Sequence, residues 1–389
     1  MKYSPVIVVV AFNRPRSIER LLFSLKNAKK ISNAKLIISI DNKAPENYAV
    51  RDIANAFEWP FGEKEVIYHP QRLGLRAHVL ECGDLTDIYG SIIMLEDDLF
   101  VSPYFYDYSL QALEFYAENP EIGGISLYNY PYVDMTQLPF SPIDDDSGVF
   151  FMQFPSSLGQ IWTADQWKHF KGWYNQQPDI SKISIHKKIL NWPPTSWKKY
   201  FCAYLVSENK YFIYPRLSLT TNFNDPGTHE IIANDHRGQT RLRIFDAPYR
   251  FKKFEDSFCK YDSHYELSTE TVKYFCKDLA EFSFEMDLYG LKDVQQVKTP
   301  YIITSRPAKS YLTGYLRALK PHDMNVLLNI PGNDLRLCRK DDIIAEKNKY
   351  KRVLSDWEYY YRNYLNSMDI KIYNRLKKYK LIRKWLYSY

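Results

Sequence analysis

A chain of 389 residues, 45% hydrophobic and 25% charged with a net charge of +6, has the balance of a soluble protein and is long enough for one large domain plus an extension. Five cysteines, at 82, 202, 259, 276 and 338, are few and widely spread and show neither a CxxC pair nor a disulfide framework, which fits free thiols in a reducing compartment. No run approaches the roughly 18 apolar residues of a membrane-spanning helix, and 33 Tyr, 22 Phe and 8 Trp suit stacking surfaces for sugars or bases, or an interfacial coat.

The opening MKYSPVIVVVAFNRP puts a charge before an apolar run, as a signal peptide does. Its run PVIVVVAF is short and β-branched, so a buried first strand over 5–12 is the expectation. A helix over 17–30 follows, with Ile18, Leu21, Leu22 and Leu25 on one face. Then come a strand over 35–41 ending in Asp41, a helix over 48–59, a strand in KEVIYHP and a helix over 76–90. Strand and helix repeated at this spacing predict an α/β fold, a mostly parallel sheet with helices on both faces.

Residues 91–98, SIIMLEDD, pass from a buried-strand pattern straight into Glu96, Asp97 and Asp98. Open α/β sheets bind their ligands at the carboxyl ends of strands. Three carboxylates so close repel one another unless a cation or hydrogen-bond donors offset them. A hard divalent ion held by one or two of them would leave positions free for substrate phosphates; a solvated acidic loop is the alternative. Beyond lie a helix from about 104 to 119, a short strand in IGGISLY, and a Pro-, Asp- and Tyr-rich stretch over 129–157 that reads as a recognition loop. A helix then starts near Thr163, and residues 199–229 read as a helix and a strand ending in a polar loop with His229.

Taken in order, PVIVVVAFNRP, IISID, HPQRLGLRAHVLECGD and IIMLEDDLFVSPYFYDY resemble nucleotide-sugar glycosyltransferases of the GT-A type, most nearly the N-acetylglucosaminyltransferase I group and related bacterial family 2 enzymes. The likeness covers 5–110 and, more weakly, 156–229. It implies a GT-A, Rossmann-like fold, a UDP-sugar donor, and Mn²⁺ or Mg²⁺ bridging the donor's two phosphates. It further implies a saccharide acceptor with N-acetylglucosamine as the sugar, and the basic tail from Lys347 onward suits a lipid-linked saccharide or surface polysaccharide as that acceptor. Arg14 and Asp41 match positions that hold the uridine; independently, an acid at a strand end accepts from a base or ribose, and an arginine forks onto phosphate or stacks on a ring. Gly74, with Arg72, Arg76 and His78, matches a loop entering the donor pocket, where Gly74 leaves room for ligand and Arg76 or His78 reaches base or phosphate. Asp98 matches the direct metal ligand and Glu96 and Asp97 the groups that orient ribose or metal-bound waters, while His229 matches a position beside the diphosphate.

One departure concerns the proton acceptor. Relatives carry Trp-Asp near the start of a late helix, where the Asp is the base; here Trp197 is followed by Lys198 and Lys199, and a protonated lysine accepts no proton. Either another carboxylate serves, with Asp165, Glu208 and the 144–146 run as candidates, or the chemistry is retaining and a leaving phosphate oxygen takes the proton. A third alternative is lost catalysis, leaving a carbohydrate-binding or assembly protein; a donor with a different nucleotide is a fourth. On the acceptor side, Trp162, Trp167 and Trp173 offer flat faces and Gly159 leaves room. Trp162 is the first candidate for stacking on a sugar, with core packing the alternative.

The expected organisation is a catalytic domain over 1–240, an accessory extension of mixed structure over 241–340, and a basic aromatic helical tail over 341–389. The extension includes the helical ETVKYFCKDLAEFSFEMDLY and the strand-like YIITSRP and MNVLLNIPG. From Lys347 onward 12 Lys or Arg stand against Asp356, Glu358 and Asp369, so the chain's basicity is local. Such a tail suits a helix lying on an anionic membrane surface, hence a cytoplasmic protein peripheral to the inner face of the plasma membrane. A solvated basic helix is the alternative, and nucleic-acid binding is a weaker one.

Overall fold

The computed structural model describes residues 3–223, 225, 238–345, 356, 359–361, 368, 371, 372 and 375. It divides into two compact units, Met1–Asn129 with Asp146–Ser257, and Tyr130–Asp145 with Phe258–Tyr389.

In the first unit β1 (Val6–Ala11), α1 (Pro15–Lys26), β2 (Leu36–Ile40), α2 (Tyr48–Ala56), β3 (Lys64–Tyr68), α3 (Leu75–Asp84), α4 (Thr86–Tyr89) and β4 (Ser91–Glu96) follow in turn. Strand β1 pairs in parallel with β2 and β4, and β2 with β3. Strands covered on both faces need unbroken apolar runs rather than alternation, and all residues of β1 and β2 are buried accordingly. Pro15 stands at the first position of α1, where its missing N–H costs nothing, and Ile18, Leu21, Leu22 and Leu25 are the face that α1 buries. The helix expected over 76–90 is broken into α3 and α4 at Leu85.

The unit continues through β5 (Leu99–Val101), α5 (Phe105–Tyr116), β6 (Ile122–Ser126), β7 (Val149–Met152), β8 (Gln160–Thr163), α6 (Ala164–Asn175), α7 (Lys187–Leu190), α8 (Trp197–Ser207), β9 (Tyr211–Pro215) and β10 (Thr220–Asn222). The unit's strands run β7-β9-β6-β8-β4-β1-β2-β3 in the large sheet. Strand β8 is antiparallel to both β4 and β6, and β7 to β9, while β6 and β9 are parallel. The α/β expectation therefore holds. Chain order reverses between β1 and β4, so the loops leaving them diverge and open a crevice at their carboxyl ends. Residues 129–157 are not one loop: Val149–Met152 is a strand of this sheet, and 130–145 group with the second unit.

The second unit contains β11 (Lys260–Tyr261), α9 (Thr269–Phe275), β12 (Phe284–Asp287), β13 (Tyr301–Thr304), β14 (Thr313–Tyr315), α10 (Asp323–Leu327) and β15 (Leu335–Arg339). Its sheet has the order β12-β13-β15-β14. YIITSRP supplies β13 as expected; MNVLLNIPG is the short helix α10 rather than a strand, because Asn325 turns inward and its side chain accepts from the N–H groups of Ala318 and Leu319. Most of the basic tail lies outside the described residues. Among those described, no helix is long and apolar enough to cross a membrane, and all five cysteines are free and buried.

Candidate functional site

The crevice at the β1/β4 reversal is a cleft of about 470 Å³ within the first unit, lined by residues following β1, β2 and β4 and by the start of α3. It collects Arg14, Asp41, Gly74, His78, Glu96, Asp97 and Asp98, seven positions that the sequence reading assigns to donor or metal.

Arg14 immediately precedes α1 and reaches across to the loop after β4. Its Nη1 donates to Asp98 Oδ2 at 2.7 Å and its Nη2 to Asp97 Oδ1. The Phe12 N–H donates to the other Asp97 oxygen at 3.3 Å, so both Asp97 oxygens are engaged. Asp98 differs, for its Oδ1 is buried and has no hydrogen-bond partner among the described residues. Burial, reinforced by Asp98, pushes the half-buried Glu96 carboxyl up to about 8 against the pull of Arg14. Burial likewise raises Asp97 to about 6, with Arg14 opposing. Burial works against the Arg14 charge, but Asp98 and Asp97 outweigh it and its pKa rises.

The two-stranded pair of β5 and β10 sets Asn222 opposite Leu99, and Asn222 lines the cleft with the acids. Asp225 lines the cleft and accepts from Ser17 Oγ at 2.6 Å and from Arg20. Burial opposes its ionisation, yet these donors hold its pKa below the ordinary value.

On the β2 side Asp41 is 3% exposed and its acceptor capacity is used. Oδ1 takes the N–H groups of Asn42 and Leu73, and Oδ2 takes Gly74 N–H at 3.0 Å and Arg72 Nε at 3.0 Å. Asp41 therefore pins the 72–74 loop to the sheet. The Arg72 guanidinium in turn lies 3.8 Å over the Phe12 ring, a cationic and aromatic wall. Gly74 adopts φ +79, and a Cβ there would meet nothing within 4 Å; its glycine is set by backbone conformation, which other residues adopt only with strain. His78 is buried with its Nε2 2.7 Å from Ser39 Oγ, which also touches His69 Nε2 at 2.9 Å. Burial, with His69 adding to it, lowers His78 to about 4, so its ring is neutral at pH 7.

Other expected residues lie elsewhere. Arg76 points away to the Tyr200 hydroxyl at 3.2 Å. Trp162 is fully buried between Trp167, Trp197, Phe201 and Phe212; it offers no face to a sugar, because its strand β8 is central in the sheet. Gly159 is required by packing, since at φ +94 a Cβ would come within 2.9 Å of Thr220. Asp165 lines a different cleft at the opposite strand ends, near Gly90 and Ile122, and Glu208 is exposed at the far end of α8 from Thr195, the residue by which that helix approaches the acids. His229 lies outside the described residues. Lys198 reaches over the Phe154 ring at 4.4 Å and its charge acts on Glu96. Sequence reasoning passed over Phe12, Ser39 and the cleft placement of Asp225; an aromatic directly after a buried strand was the available signal for Phe12.

Among the described residues no three His, Cys, Asp or Glu side chains form a complete metal cage. An Mg²⁺- or Mn²⁺-type ion needs only one or two carboxylates and completes its shell with water and substrate phosphates. The partnerless Asp98 Oδ1 is the hard oxygen such an ion would take.

Comparison with models of known protein families finds no match, and comparison with curated proteins finds none. Among solved structures, apo mouse xyloside xylosyltransferase 1 aligns over 54% of this chain and 83% of its own at 11% identity and TM-score 0.36. The mannosyltransferase PcManGT of Pyrobaculum calidifontis, in complex with GDP-Man and Mn²⁺, aligns over 59% of each chain at 12% identity and TM-score 0.34. A cytidylyltransferase of Leptospira borgpetersenii aligns over 55% and 75% at 11% identity and TM-score 0.32. Likenesses of this size identify no activity.

Proposed function

We propose that the chain is a glycosyltransferase that binds a nucleoside diphosphate sugar in the β1/β4 cleft and passes the sugar to a saccharide or lipid-linked saccharide hydroxyl. The observation that carries this reading is the meeting of Arg14 with Asp97 and Asp98 at the sheet's reversal point, in one cleft with Asp41 and Gly74. The GT-A resemblance of the same segments makes UDP the preferred nucleotide and N-acetylglucosamine the preferred sugar.

In this reading Asp98 is the group that would hold Mn²⁺ or Mg²⁺, with Glu96 beside it; the ion would supply positive charge against the departing diphosphate. Arg14 contributes a second fixed positive charge next to the same phosphates. The loop pinned by Asp41, with Phe12 and Arg72, forms the wall for base and ribose, and Gly74 keeps the entrance free of a side chain. Neutral His78 braces α3 through Ser39 without adding charge to the pocket. Asp165 and Glu208 have no part in the transfer.

Retaining stereochemistry is the second reading, favoured by Lys198 standing in the sequence where the resemblance expects a carboxylate base, with its charge acting on Glu96. Incubating the protein with a panel of nucleotide sugars and Mn²⁺ tests the main reading: hydrolysis of one donor and metal-dependent UDP binding are expected, and the absence of both overturns it. The anomeric configuration of the released or transferred sugar, read by NMR, decides between inversion and retention. The basic tail over 347–389 is proposed as the contact with an anionic membrane carrying the acceptor.

A further inference from the structure

A second cleft of about 230 Å³ in the first unit is lined by Arg216, Arg243 and Arg250, with Tyr108, Tyr249 and Phe251 among its walls. It shares no lining residue with the first cleft. It lies where β7 begins and β9 ends. Strand β9 runs in the same direction as β4, three positions along the sheet, so both clefts open at the same edge, roughly 14 Å apart at the ordinary strand spacing.

The chemistry of this cleft is one-sided. Tyr108 is 1% exposed, and among the described residues its hydroxyl has no hydrogen-bond partner. Arg243 Nε is also buried without a partner among them, although its guanidinium is fixed 4.2 Å over the Tyr249 ring and bonded to the Ala247 carbonyl. Each is a donor that lacks an acceptor, a condition proteins avoid in buried places unless something fills it. Arg216 Nε is anchored to the Ser147 carbonyl at 2.7 Å. Arg250 pairs with Asp146, which is 85% exposed. No carboxylate lines the cavity. Tyr249 and Phe251 stack with their rings 19° from parallel and form an apolar wall of the cleft.

We propose that this cleft is a second ligand site that takes an oxyanion, a carboxylate or phosphate, through the Tyr108 hydroxyl and Arg243. Resting on the glycosyltransferase reading, the oxyanion belongs to the acceptor, an acidic or phosphorylated saccharide lying along the sheet edge toward Asp98. A neutral sugar would leave the guanidinium charge uncompensated and would not be held.

The site is tested on the full chain, without nucleotide or divalent metal, by calorimetric titration with inorganic phosphate, glucuronate and glucose. Phosphate and glucuronate are expected to bind in a single class of sites and glucose not at all. Arg243→Gln should weaken binding about tenfold or more, since a charge-assisted hydrogen bond is lost. Tyr108→Phe, which removes only the hydroxyl, should weaken it severalfold. Should Arg243→Gln fail to fold, as judged by circular dichroism, Tyr108→Phe decides. Binding that neither variant alters identifies an adventitious ion only and overturns the site. The acceptor assignment has its own readout: KM for an acidic acceptor should rise in Arg243→Gln with KM for the donor unchanged. An acceptor KM unchanged in Arg243→Gln, with oxyanion binding weakened as expected, overturns that assignment alone.

Discussion

One oxygen of Asp98 accepts from Arg14 at 2.7 Å while its other oxygen is buried and has no partner among the described residues. The carboxylate is thus half neutralised by the chain itself and half open, a state that a divalent ion would complete. Asp98→Ala should abolish the Mn²⁺ dependence of UDP affinity, and Asp98→Asn, which keeps the shape but not the charge, should weaken it by about tenfold or more. Calorimetry with and without EDTA reads both; metal-dependent affinity surviving in Asp98→Ala would remove the ion from this place.

Arg14 is the only cation bonded to both Asp97 and Asp98 among the described residues. Removing one partner of a buried ion pair leaves the other desolvated and uncompensated. With Arg14 side chain 22% exposed, solvent softens that penalty, and Arg14→Ala should cost about 2–4 kcal/mol in urea unfolding at pH 7. Arg14→Lys should recover only part of it, because an ammonium does not span two carboxylates as a guanidinium does.

Glu96 gives the metal-free protein a pH signature. Its carboxyl rises from 4.5 to about 8, chiefly through burial. Below pH 4.5 the group is protonated folded and unfolded, and its favourable contribution is complete. Between 4.5 and 8 the unfolded chain releases a proton that the folded one keeps, so stability falls as pH rises through that window. Glu96→Gln should flatten the slope and gain roughly 1–3 kcal/mol at pH 8, allowing for partial exposure. Urea midpoints taken from pH 5 to 9 without metal would show it, and parallel curves for the two proteins would contradict the burial of Glu96.

The limits of sequence reading follow from what fixes each residue. Glu96, Asp97 and Asp98 were legible because a buried parallel strand leaves its next residues at the sheet's carboxyl edge, and Arg14 and Asp41 because they end neighbouring strands. Gly74 was legible as a glycine but not for its cause, which is a positive φ. Trp162 misled because an aromatic residue looks alike whether it stacks on a sugar or on other rings; only the antiparallel pairing of β8 between β4 and β6 tells which. Asp165 and Glu208 were chosen by charge, and charge carries no information about which end of a helix or sheet a residue occupies. Asp225, from a distant loop, became visible only when β10 paired with β5.

Trp162 consequently yields a prediction about stability instead of binding. Truncating a fully buried Trp packed against four aromatic rings removes a large apolar surface and leaves a cavity, so Trp162→Ala should cost about 3–5 kcal/mol. Chemical denaturation measures it. A variant of unchanged stability with a raised acceptor KM would restore the sugar-stacking role.

Asp41 provides the last prediction, because its two oxygens already serve Asn42, Leu73, Gly74 and Arg72. A nucleotide base can gain an acceptor there only by displacing Arg72, whose side chain is 50% exposed and is the one partner free to swing out. Asp41→Ala strands the Leu73 and Gly74 N–H groups at about 1–3 kcal/mol each, and the loop carrying Gly74 should loosen. Arg72→Ala separates the two consequences, since it frees one Asp41 oxygen while leaving the backbone bonds intact. If the base does compete with Arg72 for Asp41, Arg72→Ala should keep the protein's stability and bind UDP at least as tightly as the parent. If Arg72 instead holds the nucleotide through its stack on Phe12, the same variant should bind UDP about tenfold more weakly, and calorimetric affinities for the parent, Asp41→Ala and Arg72→Ala distinguish the two.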